Sequence, residues 1–178
     1  MDVDGVINTN KHRFTKFDEQ CLEYLQQIID VTGAKIVVSS SWRDEDPTRM
    51  KANFLENGFP EKLWDEIIDI TDRGHRHIIR GSQFPICRGN EIKHWVDTKL
   101  KYPWHSDKSL QKQYELLNDD GSFKIMNTNI LNIDYSYVIL DDDSDMLYEQ
   151  KDNFIHTDAL LGLSQNDVVK AIKILNYV

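Results

Sequence analysis

Of all stretches of this sequence, the nine residues from Tyr137 to Asp145 have the residue types best suited to catalysis or metal binding. Their order is Tyr137-Val-Ile-Leu-Asp-Asp-Asp-Ser-Asp145, a short apolar run followed by four carboxylates. The apolar run predicts a strand buried in a parallel sheet, and the acidic residues predict the loop at its carboxyl edge, where open α/β sheets bind their ligands. Carboxylates this close together repel one another, and a bound cation offsets that repulsion. The alternative interpretation is a solvated acidic turn.

A second acidic pair lies at the other end of the chain. Asp2 and Asp4 are two residues apart, so in a strand both would point to the same side, and Gly5 permits a tight exit. This pair favours a metal site over a solvated turn.

Hydroxyl groups and an arginine complete the candidate chemistry. The apolar run from Lys35 ends in Ser39-Ser-Ser-Trp-Arg43, and Arg88-Gly89 stands at the start of a predicted helix. The ends of parallel strands meet at one edge of the sheet, so these groups are expected to converge on the carboxylates. Carboxylates around Mg²⁺, hydroxyls and an arginine form a site that handles phosphate. One aspartate can attack phosphorus while a second moves the proton.

The elements that must position these residues alternate along the chain. Apolar spacing predicts a helix from about Asp18 to Val31 with Gly33 as its stop, a helix from Asp46-Pro47 to Gly58, and a last helix after the capping box Ser164-Gln-Asn-Asp167. Further strands or extended pieces are expected around residues 67–70 and 153–157. Alternating strands and helices predict an α/β fold, a doubly wound, mostly parallel sheet with helices on both faces.

The overall totals limit the classes of function. The chain has 178 residues and a formal net charge of -9, which fits one domain and argues against a general nucleic-acid coat. Cys21 and Cys87 have neither metal-ligand spacing nor a disulfide framework, and they fit a reducing cytosol. No apolar run of membrane-spanning length and no secretory signal occurs, so the expected location is the cytoplasm.

One stretch departs from the acidic average. Arg73 to Lys93 contains five basic residues and one acidic residue, which indicates either a site for an anionic substrate or a solvated loop. His75 and His77 are two residues apart, but no acidic or thiol partner lies nearby in sequence, which disfavours a metal site there.

Residues 101–132 are predicted to be a small insertion within a single domain spanning residues 1–178. This polar and aromatic stretch precedes the strand that ends at Asp141, and insertions of this kind often act as lids. Its aromatic residues would either stack on a base or form a small core of their own.

Four motifs in this order resemble the haloacid dehalogenase (HAD) superfamily of phosphotransferases. They are Asp2-Val-Asp-Gly-Val6, the strand ending in Ser39-Ser-Ser-Trp-Arg43, the basic residue Arg88 at a helix start, and Val138-Ile-Leu-Asp-Asp-Asp-Ser-Asp145. The strings around Trp42, Arg88 and Asp141 look most like the HAD domain of "Swiss Army knife" RNA-repair proteins. That branch is similar to the phosphatase half of polynucleotide kinase-phosphatase.

The resemblance implies a Rossmannoid fold and a role for each motif. Asp2 would be the nucleophile and a Mg²⁺ ligand. Asp4 would be the acid and base, with its backbone carbonyl on the metal. Asp141 and Asp142 would complete the Mg²⁺ shell, with Asp145 a weaker candidate.

The resemblance also implies groups that bind the phosphate. Ser40 or Ser41 would hold its oxygens, and Arg88 would neutralise its charge. Arg43 and Gly89 are expected to contact the substrate, and the alternative for Arg43 is a salt bridge at the strand end. The expected substrate is a phosphorylated small molecule, a nucleotide or a short nucleic-acid end.

One feature departs from the family pattern, in which an apolar strand runs into the first aspartate. Here only Met1 precedes Asp2, so either the strand is shortened or the natural chain is expected to begin upstream. Two alternatives to a phosphatase remain: a non-catalytic HAD-like module that binds a nucleotide or a partner, and phosphoryl transfer to an acceptor other than water.

Overall fold

The computed structural model of the protein describes residues 1–12, 16–72, 76–79, 82–101 and 135–176. The helices are α1 (Glu19–Thr32), α2 (Pro47–Glu56), α3 (Glu61–Trp64), α4 (Arg88–Trp95), which continues as a π-helical segment (Val96–Lys101), and α5 (Gln165–Leu175). The strands are β1 (Ile36–Val38), β2 (Ile67–Ile70), β3 (Arg76–Ile79), β4 (Ser82–Pro85), β5 (Ile139–Asp141) and β6 (Phe154–His156). Helices and short parallel strands confirm the α/β class.

Helix α1 forms where its sequence predicts it. The Asp18 side chain accepts hydrogen bonds from the backbone N–H groups of Gln20 and Cys21, which would otherwise have no partner in the first turn. Gly33 ends the helix at φ 68°, a left-handed conformation that costs glycine little. Leu22, Leu25, Ile28 and Ile29 are buried along one face, as the apolar spacing predicts.

Helix α5 begins at the predicted capping box and packs against α1. The Ser164 side chain accepts from the Asp167 N–H, and the Asp167 carboxylate accepts from the Ser164 N–H at 3.1 Å. The buried side chains of Val168 and Ala171 belong to the same apolar core as α1. The same core includes Val38 of β1, Leu140 of β5 and Ile155 of β6.

The strands pair in three units. β1 and β2 are parallel, β5 and β6 are parallel, and β3 and β4 form an antiparallel hairpin. The hairpin follows β2 and lies within the basic stretch, where the sequence analysis predicts no strand pair.

Met1 and Asp2 connect β1 to β5. The Met1 amine donates to the Val37 carbonyl at 2.9 Å, and the Ser39 N–H donates to the Met1 carbonyl at 2.8 Å, which is the bonding pattern of a parallel ladder. On the other side the Asp2 N–H donates to the Leu140 carbonyl at 2.9 Å. Backbone hydrogen bonds of Met1 and Asp2 therefore link β1 to β5, and a single doubly wound sheet stays a prediction.

Consecutive residues of β5 contact two different groups of side chains. Leu140 packs in the core with α1 and α5, whereas Ile139 packs with Ile92 and Val96. Because neighbouring residues of a strand point to opposite faces, helices cover β5 on both sides. Its carboxyl end is thereby held in place, and that end carries Asp141.

An apolar cavity of about 380 Å³ lies between β1 and β5, with Met1 in its lining. The Met1 amine is buried next to it, and burial lowers the pKa of that amine to about 6.

Two further expectations concern the predicted lid and the absence of a membrane-spanning helix. The predicted lid at 101–132 lies outside the described residues except for Lys101. Within the described segments, none of the helices has the length and apolar character needed to cross a membrane.

Candidate active site

Three carboxylates from the two ends of the chain meet at the carboxyl end of β5. Asp2, Asp141 and Asp142 each offer an oxygen, and these oxygens lie within 4.8 Å of one another. The hydrogen bond from the Asp2 N–H to the Leu140 carbonyl brings the N-terminal acid to the last residue of β5. The structure thus brings together three of the four predicted metal ligands by their side chains.

Asp141 carries the most strongly perturbed carboxylate of this cluster. It is 1% exposed, and its Oδ1 accepts from the Asp143 N–H at 2.9 Å. Among the residues that the structure describes, none is a hydrogen-bond partner of its buried Oδ2. Burial, followed by the negative charge of Asp2, raises the pKa of Asp141 to about 7. Burial likewise raises the pKa of Asp142 above its ordinary value. A buried acceptor without a partner beside two other carboxylates suits a cation.

Gly5 allows Asp142 to approach the N-terminal turn. Gly5 has φ 70°, and a Cβ added there would lie 2.0 Å from the Asp142 Cγ. The Gly5 carbonyl accepts from the Thr157 hydroxyl at 2.8 Å, and a ring nitrogen of His156 lies 2.7 Å from the Asp142 carbonyl. A glycine is therefore required at this position for the acidic loop to close over the first motif.

Arg88 lies beside the acidic cluster, as predicted. Its Nη1 is 3.6 Å from the Asp2 Oδ1 and also donates to the Ser39 carbonyl. The Arg88 backbone N–H donates to the Asp145 Oδ2 at 2.7 Å, so Asp145 accepts from the first turn of α4. This contact gives Asp145 a role at a helix N-terminus, where a negative charge is favourable.

The three serines after β1 have different surroundings. The Ser39 hydroxyl is buried and accepts from the Thr71 hydroxyl at 2.9 Å. Ser40 is fully buried, and its hydroxyl accepts from the Trp42 N–H at 3.3 Å. Ser41 is exposed, and its hydroxyl donates to the Asp4 Oδ2 at 3.4 Å. Of the three hydroxyls, that of Ser41 lies on the open side of the structure next to a predicted catalytic acid.

Arg43 is held in a buried ion pair. Its guanidinium donates to the Glu91 carboxylate at 2.9 Å and to the Thr71 carbonyl at 2.9 Å, and its Nε donates to the Ser40 carbonyl at 2.6 Å. These contacts match the salt bridge that the sequence analysis gives as the alternative for Arg43. The residue also lines a cleft of about 660 Å³, so its contact with substrate stays a prediction.

Gly89 is buried against the turn that follows the acidic loop. A Cβ added at Gly89 would lie 2.6 Å from the Leu147 backbone nitrogen and 2.7 Å from the Gln150 Oε1. The Gln150 amide also donates to the Gly89 carbonyl at 2.9 Å. These contacts give Gly89 a packing role between α4 and that turn, and a role in substrate binding stays a prediction.

The basic stretch is described only in part. The side chains of Arg73, Arg76, Arg80, His75 and His77 lie outside the described residues, so neither the anionic-substrate site nor a histidine metal site there is tested. Lys93 forms ion pairs with Asp97 at 3.0 Å and with Glu149 at 3.1 Å. Of the five basic residues, Arg88 is the one that the described structure places at the acidic cluster.

The Asp4 carboxylate is held by two residues that the sequence analysis does not single out. The Asn8 amide donates to the Asp4 Oδ1 at 2.7 Å, and the Trp42 indole N–H donates to the same oxygen at 2.9 Å. Trp42 lies inside the motif Ser39-Ser-Ser-Trp-Arg43. His156 is the last residue of β6, and polar residues at the carboxyl ends of strands are expected to lie near the site. Asn8 gives no comparable signal in a single sequence.

Comparison with known proteins agrees with this geometry. Neither a search of curated proteins nor a search of solved structures found a match. A family model described as "HAD domain in Swiss Army Knife RNA repair proteins" matches residues 1–122, and this range contains the first three motifs. The match confirms the resemblance seen in the sequence: the chain belongs to the HAD domains of Swiss Army Knife RNA repair proteins.

Proposed function

We propose that this protein is a Mg²⁺-dependent phosphatase that hydrolyses a phosphate monoester through an aspartyl phosphate. The observation that carries the proposal is the meeting of Asp2, Asp141 and Asp142 around a buried, unsatisfied carboxylate oxygen, with the Arg88 guanidinium beside them. Family membership supports a phosphatase-type activity.

The acidic cluster fits a hard divalent cation. Mg²⁺ prefers oxygen ligands, and Asp2, Asp141 and Asp142 would hold it, with the Asp4 backbone carbonyl as a further ligand. A bound cation would give a partner to the Asp141 Oδ2, which has none among the described residues, and would favour the ionised form of a carboxyl group whose pKa burial raises to about 7. When bound, Mg²⁺ neutralises charge on the phosphate oxygens.

The chain's own residues account for the bond changes. A carboxylate oxygen of Asp2 attacks phosphorus, the bond from phosphorus to the leaving oxygen breaks, and Asp4 gives that oxygen a proton. Asp4 then takes a proton from water, whose oxygen attacks phosphorus and breaks the bond to Asp2. Inorganic phosphate leaves, and both carboxyl groups return to their starting states.

The remaining residues of the site bind the phosphate. Arg88 compensates negative charge next to Asp2, and the exposed Ser41 hydroxyl donates to a phosphate oxygen. Ser40 contributes through the backbone turn that presents Ser41, since its own side chain is fully buried.

The proposed substrate is a nucleotide or a short polynucleotide end. The family description points to RNA repair. The formal net charge of -9 disfavours tight binding to long nucleic acid, which is itself polyanionic. A terminal phosphate of a nucleotide or short RNA fits both the link to RNA repair and the negative net charge, because the enzyme then contacts few phosphates.

The proposed architecture is a single domain with a doubly wound sheet. The hydrogen bonds of Met1 and Asp2 to β1 and β5 support one continuous sheet, and the contacts of Ile139 and Leu140 support helices on both faces. The stretch 101–132 is proposed as a cap or lid insertion of this domain.

The test is phosphate release from oligonucleotides with 3'- or 5'-phosphates, beside a panel of small phosphoesters, with and without Mg²⁺. We expect release that requires Mg²⁺ and is lost in Asp2→Asn, which keeps the shape of the side chain and removes the nucleophilic charge. Absence of Mg²⁺-dependent release from every substrate would refute the proposal.

A further inference from the structure

Two neutral hydrogen-bond donors hold one oxygen of the Asp4 carboxylate. The Asn8 Nδ2 lies 2.7 Å and the Trp42 Nε1 lies 2.9 Å from the Asp4 Oδ1. An indole nitrogen can only donate, and an amide nitrogen can only donate, so neither contact tolerates a proton on Oδ1. The Asp4 Oδ2 faces the Ser41 hydroxyl at the longer distance of 3.4 Å.

Both donors are fixed by their own packing. The Trp42 ring lies 5.2 Å from the Phe17 ring and 5.9 Å from the Phe54 ring, the second in an edge-on arrangement. Phe17 and Phe54 belong to the buried core, so the indole has little freedom to turn.

Asn8 is also immobilised. It is fully buried, its backbone N–H donates to the Val3 carbonyl at 2.9 Å, and its carbonyl accepts from the Gly5 N–H at 2.8 Å. Its buried side-chain oxygen has no hydrogen-bond partner in the part of the chain that the structure describes. The asparagine therefore leaves its own acceptor unsatisfied while its amide nitrogen serves Asp4, an arrangement that folding alone does not favour.

We infer that Trp42 and Asn8 are positioning residues that make the Asp4 Oδ2 the proton-carrying oxygen of the site. A carboxylate oxygen has two lone-pair positions, and the two donors use both on Oδ1. The proton that Asp4 gives to the leaving oxygen and later takes from water is then confined to Oδ2. This inference rests on the proposed phosphatase reaction and adds to it the residues that select the reacting atom.

The kinetic test compares leaving groups. Trp42→Phe removes the indole N–H and keeps an aromatic ring, and Trp64→Phe is the matched control because the Trp64 ring packs on the same Phe54 ring at 5.6 Å. A nucleoside phosphate needs a proton on its leaving oxygen, whereas p-nitrophenyl phosphate has a leaving group that departs without one. We expect Trp42→Phe to lower kcat/KM for the nucleoside phosphate by about tenfold or more. For p-nitrophenyl phosphate we expect kcat/KM to stay close to that of the wild type.

Two kinetic results would overturn the inference. An equal loss of kcat/KM for both substrates means that Trp42 only supports the fold, and no loss for either means that the indole N–H does not act on Asp4. If Trp42→Phe does not fold, Asn8→Leu repeats the comparison, because it removes the amide nitrogen together with the unsatisfied amide oxygen.

An NMR measurement separates this inference from the proposed function. The indole N–H resonance of Trp42 is expected to move upfield in Asp4→Leu, because this variant removes the oxygen that accepts from the indole, while the Trp64 resonance stays in place. An unchanged Trp42 resonance contradicts the hydrogen bond from Trp42 to Asp4, whether or not the protein is an active phosphatase. If the Trp42 resonance moves but the wild-type protein releases no phosphate, the proposed phosphatase activity is refuted and the hydrogen bond from Trp42 to Asp4 is confirmed.

Discussion

Replacing Asp141 by asparagine should stabilise the protein when no divalent cation is present. The folded protein keeps a proton on Asp141 up to about pH 7, whereas the ordinary pKa of 3.8 lets the unfolded chain release it much earlier. Folding therefore takes up a proton between these two pH values, and the free energy of unfolding falls as the pH rises through them. Asparagine resembles the protonated form at every pH and removes this loss.

The structure sets the size of the effect. At about 1.36 kcal/mol per pKa unit, the interval from 3.8 to about 7 corresponds to at most about 4 kcal/mol once the pH exceeds 7. The lowered pKa of the Met1 amine, about 6, makes stability rise with pH between about 6 and 8, but it acts on both proteins and largely cancels in their difference.

The assay is urea unfolding in EDTA at a series of pH values from 4 to 8. Asp141→Asn should match the wild type near pH 4 and exceed it by a few kcal/mol at pH 8. Mg²⁺ should stabilise the wild type at pH 8 and have no effect on the variant. Asp143→Asn is the control, because Asp143 is an exposed carboxylate of the same loop. A variant less stable than the wild type at pH 8 in EDTA would refute the reasoning.

Three further predictions concern the glycine, the arginine and the ion pair of the site. Gly5→Ala should weaken Mg²⁺ binding, measured by calorimetry, because a Cβ at this position displaces the Asp142 carboxylate. The control is Gly33→Ala, which should lower only the stability of the fold, because Gly33 also has a left-handed φ of 68° but open space around it. Arg88→Met should lower kcat about a hundredfold and Arg88→Lys should lose less, because lysine keeps the charge beside the nucleophile; equal losses would contradict a role for the charge. Glu91→Gln should lower the free energy of unfolding in urea by about 3 kcal/mol, because it removes the negative charge from the buried pair with Arg43, and a change near zero would show the pair to be unimportant.

The sequence predicts the parts of this molecule whose determinants are local. Helices α1 and α5 appear where a capping residue precedes a regular apolar spacing, and β5 ends at the aspartate that interrupts its apolar run. The convergence of Asp2 with Asp141 is also predictable, because parallel strands share a carboxyl edge.

Contacts that depend on tertiary packing were beyond local reasoning. The hairpin β3–β4 lies in a basic stretch without a clear alternation of apolar residues. Gly89 is buried because α4 packs against the turn at Leu147, and Arg43 points to Glu91 on the same helix. Asn8 meets Asp4 because the chain turns back on itself after Gly5, a geometry that composition does not reveal.

The central claim is that Asp2 takes the phosphoryl group from the substrate. The most direct measurement is borohydride trapping during turnover with Mg²⁺ and a phosphorylated oligonucleotide, followed by mass spectrometry of the N-terminal peptide. Borohydride reduces an acyl phosphate, so the account predicts homoserine in place of Asp2 when substrate is present and unmodified aspartate when it is absent. Steady phosphate release with Asp2 unmodified under the same conditions would contradict the account.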